Sequence, residues 1–195
     1  LLANLYLHIL DRIWDRHGFD QKLHARLIRY ADDFVILCAS GVERPLKIAQ
    51  KVIDRLDLSL NEEKTRIVDS KTESFAFLGF EIQMRKGQKS GRLYPNIKPS
   101  RKAVASIMTQ VTELTSRNLT GKPIQEVIDR VNQKVRGWVG YFHYGNCSPS
   151  LSRVKQHVEQ RVRIHLRKRH KLRCVATGYG GSRSETSHPL MRLTG

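Results

Sequence analysis

The sequence predicts an α+β protein, a small antiparallel sheet with helices followed by an all-α unit of three helices. Three observations carry this. Strand-forming runs separated by polar turns dominate the stretch from residue 26 to residue 84. Segments of helical apolar period, each opened near a proline, fill the chain beyond Pro99. The excess positive charge is confined to the second part, as two units with different partners would have it.

Leu2, Leu5, Tyr6, Ile9 and Ile13 recur at helical spacing and predict an amphipathic helix over residues 1–14. Residues 26–30 and 34–39 read as two strands, with Ala31-Asp32-Asp33 between them. Pro45 suits the first turn of a helix that presents Leu46, Ala49, Ile53 and Leu56 on one face and ends near Asp57. "LSLNEEKTRIV" and "FAFLGFEIQM" read as strand segments joined by polar turns, and "RKGQKSGR" (residues 85–92) as a Gly- and Lys-rich turn. Three amphipathic helices follow, and helices of this length make a compact bundle. "PSRKAVASIMTQVTEL" comes first. The second has Ile124, Val127, Val131, Val135 and Trp138 on one face, and the third has Leu151, Val154, Val158, Val162 and Leu166. From Cys174 onward periodicity is lost, which predicts a loose basic tail over residues 174–195.

Composition narrows the function. The chain has 195 residues and 39% hydrophobic content, ample for a core. Its longest apolar run, Phe34–Ala39, is far too short to span a membrane. Cys38, Cys147 and Cys174 are isolated and odd in number, so no disulfide framework or paired-cysteine zinc site is indicated, and a reducing, cytoplasmic setting is expected. His143 and Cys147 stand four apart, but no second ligand pair accompanies them. The net charge of +17 is unevenly spread: residues 1–81 hold 12 Lys/Arg against 13 Asp/Glu, and residues 82–195 hold 23 against 5. A segment so poor in acids repels itself without a counter-charge, and a nucleic acid is the leading candidate for one.

Asp32 and Asp33 interrupt an otherwise apolar run. A hairpin turn is the plain explanation, since Asp is favoured in turns. Yet two-residue hairpins favour glycine for positive φ, and none is present. Adjacent carboxylates also repel unless a cation compensates. Hard Mg2+ prefers carboxylate oxygen and commonly takes one or two protein carboxylates plus phosphates, the chemistry of a phosphoryl-transfer site.

"YADD", Tyr30 to Asp33, preceded by Arg29, resembles the palm signature of reverse transcriptases in the form used by group II intron-encoded proteins. "LLANLYLHILDRIW" resembles the helix after that family's Pro-Gln-Gly motif, and "LSLNEEKT" the next block, with Asn61, Lys64 and Thr65 at the expected places. "FAFLGFEI" resembles the primer-grip block, and "RGWVGYF" (residues 136–142) the thumb, or domain X, of maturases. "HPLMRL" resembles a degenerate closing segment. The resemblance spans nearly the whole chain.

It implies a partial reverse-transcriptase palm over residues 1–97, a helical thumb over 98–173 and a basic tail over 174–195. The activity implied is RNA-directed DNA polymerisation with an RNA-binding splicing role. Asp32 and Asp33 would be metal-site carboxylates for Mg2+, with Tyr30 and Ala31 beside the nucleotide and primer end. Lys64 would lie near the triphosphate of the incoming dNTP, where a cation stabilises charge on the leaving pyrophosphate; a turn-capping surface lysine is the equal alternative. Leu78 and Gly79 would grip the primer backbone. The partners implied are intron RNA as template and a DNA primer. Trp138, Tyr141 and Phe142 read as thumb core, whereas an exposed ring among them would stack on an RNA base. The run of residues 161–173 holds seven Lys/Arg, and Arg163, Arg167, Lys168, Arg169 and Lys171 would meet phosphates.

Against the family pattern, the fingers and the strand bearing the other catalytic aspartate have no counterpart here. The two-metal site would therefore be completed by a carboxylate outside this chain, and the chain alone is expected to be inactive. A non-catalytic RNA-binding module predicts tight RNA binding without polymerisation, and a generic basic DNA-binding protein would leave the ordered blocks unexplained.

Overall fold

The computed structural model describes residues 2–61 and 63–171, so the expected tail at 174–195 lies outside the described residues. The chain divides into two compact units, Leu1–Val68 and Asp69–Gly195.

In the first unit, helix α1 (Leu2–His17) leads through a short α2 (Phe19–Lys22) into an antiparallel pair, β1 (Ala25–Tyr30) and β2 (Asp33–Cys38), followed by α3 (Glu43–Arg55). The helices cover one face of the pair. Leu7, Leu10 and Trp14 of α1 bury against Ala25 and against Ala49, Val52 and Ile53 of α3, with Leu27 and Ile36 packed on them. Trp14 anchors this core. Its indole N–H lies 2.9 Å from the Ala25 carbonyl and 3.1 Å from Asp20 Oδ1, so the ring is buried without an orphaned donor.

Two expectations fail in this unit. The stripe expected to be the buried face of α1 is largely outward: Leu5 is 76% exposed, and Tyr6 and Ile9 are also open. The helix carries apolar residues on two faces, and the one with Trp14 won the core. The segment at residues 58–68 forms no strand among its described residues. Asn61 turns the chain instead. Its carbonyl accepts from the Thr65 N–H (2.9 Å) and hydroxyl (2.8 Å), and its side-chain oxygen accepts from the Lys64 N–H (3.1 Å). Such local side-chain bonds compete with a sheet ladder, and here they prevail.

The second unit pairs a three-stranded antiparallel sheet, order β3-β4-β5, with helices. Its strands are β3 (Phe75–Phe77), β4 (Phe80–Lys86) and β5 (Leu93–Pro99). "FAFLGFEIQM" is thus two strands: Phe77 pairs with Phe80, and Leu78-Gly79 make the turn between them. Pro95 and Pro99 lie on β5, an edge strand, where a missing N–H costs no ladder bond. Ser100 then caps α4 (Arg101–Leu114), its hydroxyl oxygen accepting from the Ala103 N–H at 3.2 Å. Helices α5 (Ile124–Phe142) and α6 (Ser148–Arg169) complete the unit. Val104, Ile107 and Val111 of α4, Val131 and Val135 of α5, and Val154, Val158 and Val162 of α6 form one core, as the helical period predicts. Among the described residues, the sheets and six α-helices make an α+β fold. No described helix is long and apolar enough to cross a membrane.

Candidate functional site

The two aspartates sit on a two-residue hairpin after all. Tyr30 pairs with Asp33, and Ala31-Asp32 form the turn. With no glycine available, Ala31 itself takes a left-handed conformation, φ 56°. That conformation costs an L-residue on the order of 1–2 kcal/mol, so the turn must be held from outside.

Arg29 holds it. Its Nη1 donates to the Ala31 carbonyl at 2.6 Å. The rest of the guanidinium grips the Asp11 carboxylate, with Nε 3.0 and 3.1 Å from its two oxygens and Nη2 2.5 Å from Oδ2. Nη1 also reaches Asn4 Oδ1 at 3.2 Å. The Arg29 side chain is only 10% exposed, and its hydrogen bond to Asp11 raises the guanidinium pKa further, against the desolvation that opposes it. Asp11, which as a bare helix position reads as solvated surface, is thus the counter-ion of a half-buried arginine. Neither it nor Arg29 stands out in sequence as a site residue; the cue is an arginine two places before an alanine that must adopt positive φ.

Asp32, Asp33 and Tyr30 are exposed, Tyr30 at 66%. Strand alternation explains this: Tyr30 and Asp33 face each other on the side of the pair opposite the core, with Ile28 and Val35 behind them. Among the described residues, neither aspartate enters an ion pair. Two solvated carboxylates on adjacent residues make a hard-oxygen donor set of the kind Mg2+ takes with phosphates and water. Among the described residues no group of three or more His, Cys, Asp or Glu could hold a metal, so further ligands would have to come from elsewhere. Lys64 is exposed in the Asn61 turn, its backbone N–H captured by Asn61 and its side chain open to solvent.

The second unit carries the other expected residues. Leu78 (φ 50°) and Gly79 (φ 79°) both lie in the left-handed region, the sign pattern of a type I′ turn. The Tyr141 hydroxyl donates to the Leu78 carbonyl at 3.1 Å, and the Ser100 N–H to the Gly79 carbonyl at 2.8 Å. A Cβ on Gly79 would lie 3.1 Å from Phe142 Cζ, so backbone and ring approach closely only because the residue is glycine. Phe80 packs against Phe142, centroids 4.9 Å apart, and Trp138 contacts the same ring at 4.9 Å. Phe142 is buried and Trp138 half-buried against the helical core. Tyr141 and Tyr144 remain open, the latter 63% exposed with the His143 ring 4.0 Å away.

The cations of α6 divide into two sets. Arg163 and Lys168, with Lys171 just past the helix end, are exposed, and Arg167 is half-buried. Arg169 turns inward, donating to the carbonyls of Thr120 (3.0 Å) and Lys122. Arg161 does the same at the end of α4, with Nε to Thr115 Oγ1 (3.1 Å) and Nη2 to the Thr112 and Thr115 carbonyls. His165 meets the Thr115 carbonyl at the same helix end, and His157 meets the Met108 carbonyl further up α4. These four positions recur every four residues, one stripe of α6 that bonds to α4 and to the loop that follows it.

Residues 1–82 match the model of the reverse transcriptase (RNA-dependent DNA polymerase) family, and residues 104–177 match the group II intron, maturase-specific domain. No curated protein matches the chain.

Proposed function

We propose, for a chain that belongs to the group II intron reverse transcriptase and maturase family, that its first unit contributes two metal-site carboxylates to RNA-templated DNA synthesis and its helical unit binds intron RNA. In this reading residues 1–97 serve as palm and 98–173 as thumb, with template RNA, a DNA primer and dNTPs as partners.

The observation that carries the reading is the Ala31-Asp32 hairpin, where two carboxylates outside any ion pair stand exposed on a turn that a half-buried arginine fixes. Mg2+ bound there would activate the primer 3′-hydroxyl and neutralise charge on the departing pyrophosphate. Asp32 and Asp33 supply its oxygen ligands, and Tyr30 and Ala31 border the nucleotide. Lys64, exposed on its turn, supplies a cation for the triphosphate. The Leu78-Gly79 turn bears on the primer backbone. On α6 and just past its end, Arg163, Lys168 and Lys171, with the half-buried Arg167, neutralise RNA phosphates; Arg169 contributes chiefly by tying down the loop at Thr120.

The test is primer extension on an RNA template by the chain supplied with a reverse-transcriptase segment carrying a further metal carboxylate. Extension is expected, and Asp32→Asn should abolish it while RNA binding persists. Extension that survives the substitution removes Asp32 from the metal role. For the helical unit, changing Arg163, Lys168 and Lys171 to Ala should flatten the salt dependence of RNA binding by roughly 0.7 log units per log unit of salt for each phosphate that is no longer neutralised. An unchanged slope would exclude these three side chains from the RNA backbone.

A further inference from the structure

We infer that Arg29 is a positioning residue for the Asp32–Asp33 pair, its guanidinium, braced by Asp11 and Asn4, holding the Ala31 carbonyl and with it the left-handed turn that presents both carboxylates. The inference rests on the metal reading above and deepens it.

The geometry demands a brace. Ala31 at φ 56° has no glycine freedom, and left to itself the peptide relaxes toward negative φ. Since Asp32 is the next residue in the turn and Asp33 opens β2, any such relaxation re-aims both side chains. The Ala31 carbonyl accepts from Arg29 Nη1 at 2.6 Å, and Arg29 is itself fixed by a fork onto Asp11. Three elements thus converge on one guanidinium: α1 through Asn4 and Asp11, β1 through the arginine itself, and the turn through Ala31. A planar fork can span a carboxylate and a carbonyl at once, whereas a lysine ammonium is a point charge on a flexible stem. The role is therefore geometric: a mere counter-charge for the aspartates would be kept by lysine, and the position held by Arg29 would not.

A strained turn held by a brace makes a specific prediction. Replacing Ala31 by glycine removes the strain, so the brace becomes dispensable. A purely structural Asp11–Arg29 contact gives no such rescue.

The experiment follows Mn2+ binding to the full chain by paramagnetic broadening of the backbone amides of residues 31–33, with thermal unfolding recorded alongside. In the parent, broadening centres on these amides, and Asp32→Asn removes it. Arg29→Lys should weaken Mn2+ binding roughly tenfold or more, the range expected when outer-sphere support of a metal ligand is removed. Adding Ala31→Gly to Arg29→Lys should return the affinity toward that of the parent. If Arg29→Lys proves too unstable to fold, Asp11→Asn loosens the same brace, with a smaller loss that Ala31→Gly again reverses. Unchanged Mn2+ affinity in Arg29→Lys overturns the inference, as does a loss that glycine fails to rescue. Binding indifferent to Asp32→Asn, or absent from residues 31–33 in the parent, instead overturns the metal reading, and the inference with it.

Discussion

The turns at Ala31-Asp32 and Leu78-Gly79 both reverse an antiparallel pair in two residues, and both force a residue with a side chain into the left-handed region, at φ 56° and 50°. They are held by different means. The first depends on a single charged side chain, Arg29, acting through an ion pair with Asp11. The second is held through both turn carbonyls, by the Tyr141 hydroxyl and the Ser100 N–H, with the Phe142 ring packed behind Gly79. The polar brace leaves the carboxylates of Asp32 in its turn and of Asp33 beside it in water. The aromatic brace fixes the backbone itself, leaving little freedom to a turn proposed to bear on a sugar–phosphate chain. What each turn displays is therefore matched to what holds it.

Mutations can break this contrast. The largest effect is expected from Gly79→Ala, which adds the left-handed penalty of about 1–2 kcal/mol and drives a methyl group toward Phe142. Thermal unfolding should record a clear loss, and a neutral result would mean the second turn is not held rigidly by the ring. Tyr141→Phe comes next. It removes only the hydroxyl bonded to Leu78 and should cost about 0.5–1 kcal/mol, at the low end because the residue is half exposed. No loss at all would transfer the clamp to Ser100 alone. Ala31→Gly has the opposite sign, stabilising by about 0.4–1 kcal/mol through relief of strain, offset in part by the greater entropy of the unfolded glycine. Destabilisation there would contradict the strained state of the first turn.

The smallest effect sharpens the comparison through cysteines, in a Cys174→Ser background. Cys38 lies on β2, and burial raises its thiol pKa. A raised folded pKa favours the protonated form, so its contribution to stability is full below the unfolded thiol pKa and fades as pH rises through the folded one. Alkylation of Cys38 at pH 8 should therefore be slower than that of an unstructured peptide thiol. Cys147, buried with its thiol donating to the His143 carbonyl at 3.2 Å, should react more slowly still. The reverse order would make the second unit the looser of the two.

Much of this architecture is legible in the sequence. The valine ladders of α5 and α6 recur at 3.6-residue spacing, and the structure buries those same valines. The strands on either side of Asp32 and the helix at Pro45 are found within two residues of their expected limits. The failures are instructive. Helix α1 has two apolar stripes, and periodicity alone offers no means of choosing between Leu5-Tyr6-Ile9 and Leu7-Leu10-Trp14. In "LSLNEEKT" the β-forming residues are overridden by the local hydrogen bonds of Asn61. "FAFLGFEI" looks continuous, although its Leu-Gly pair, with glycine at the second turn position, is a hairpin cue. The candidate site was half visible: the aspartates declare themselves as unpaired charges in an apolar run, whereas the brace at Arg29 and Asp11 is separated by 18 residues and silent until the chain folds.

By itself the sequence determined what needs only local information: helical and strand periods, the proline boundaries, the division of charge, and the ordered motifs that carry family membership. Tertiary structure decided which face of α1 is buried, which of the cations on α6 meet solvent and which meet carbonyls, and how an alanine comes to stand at positive φ beside two carboxylates. Those outcomes depend on competition between surfaces and on partners distant along the chain. The free energy of a buried tryptophan or a forked arginine exists only once both sides of the contact have been brought together.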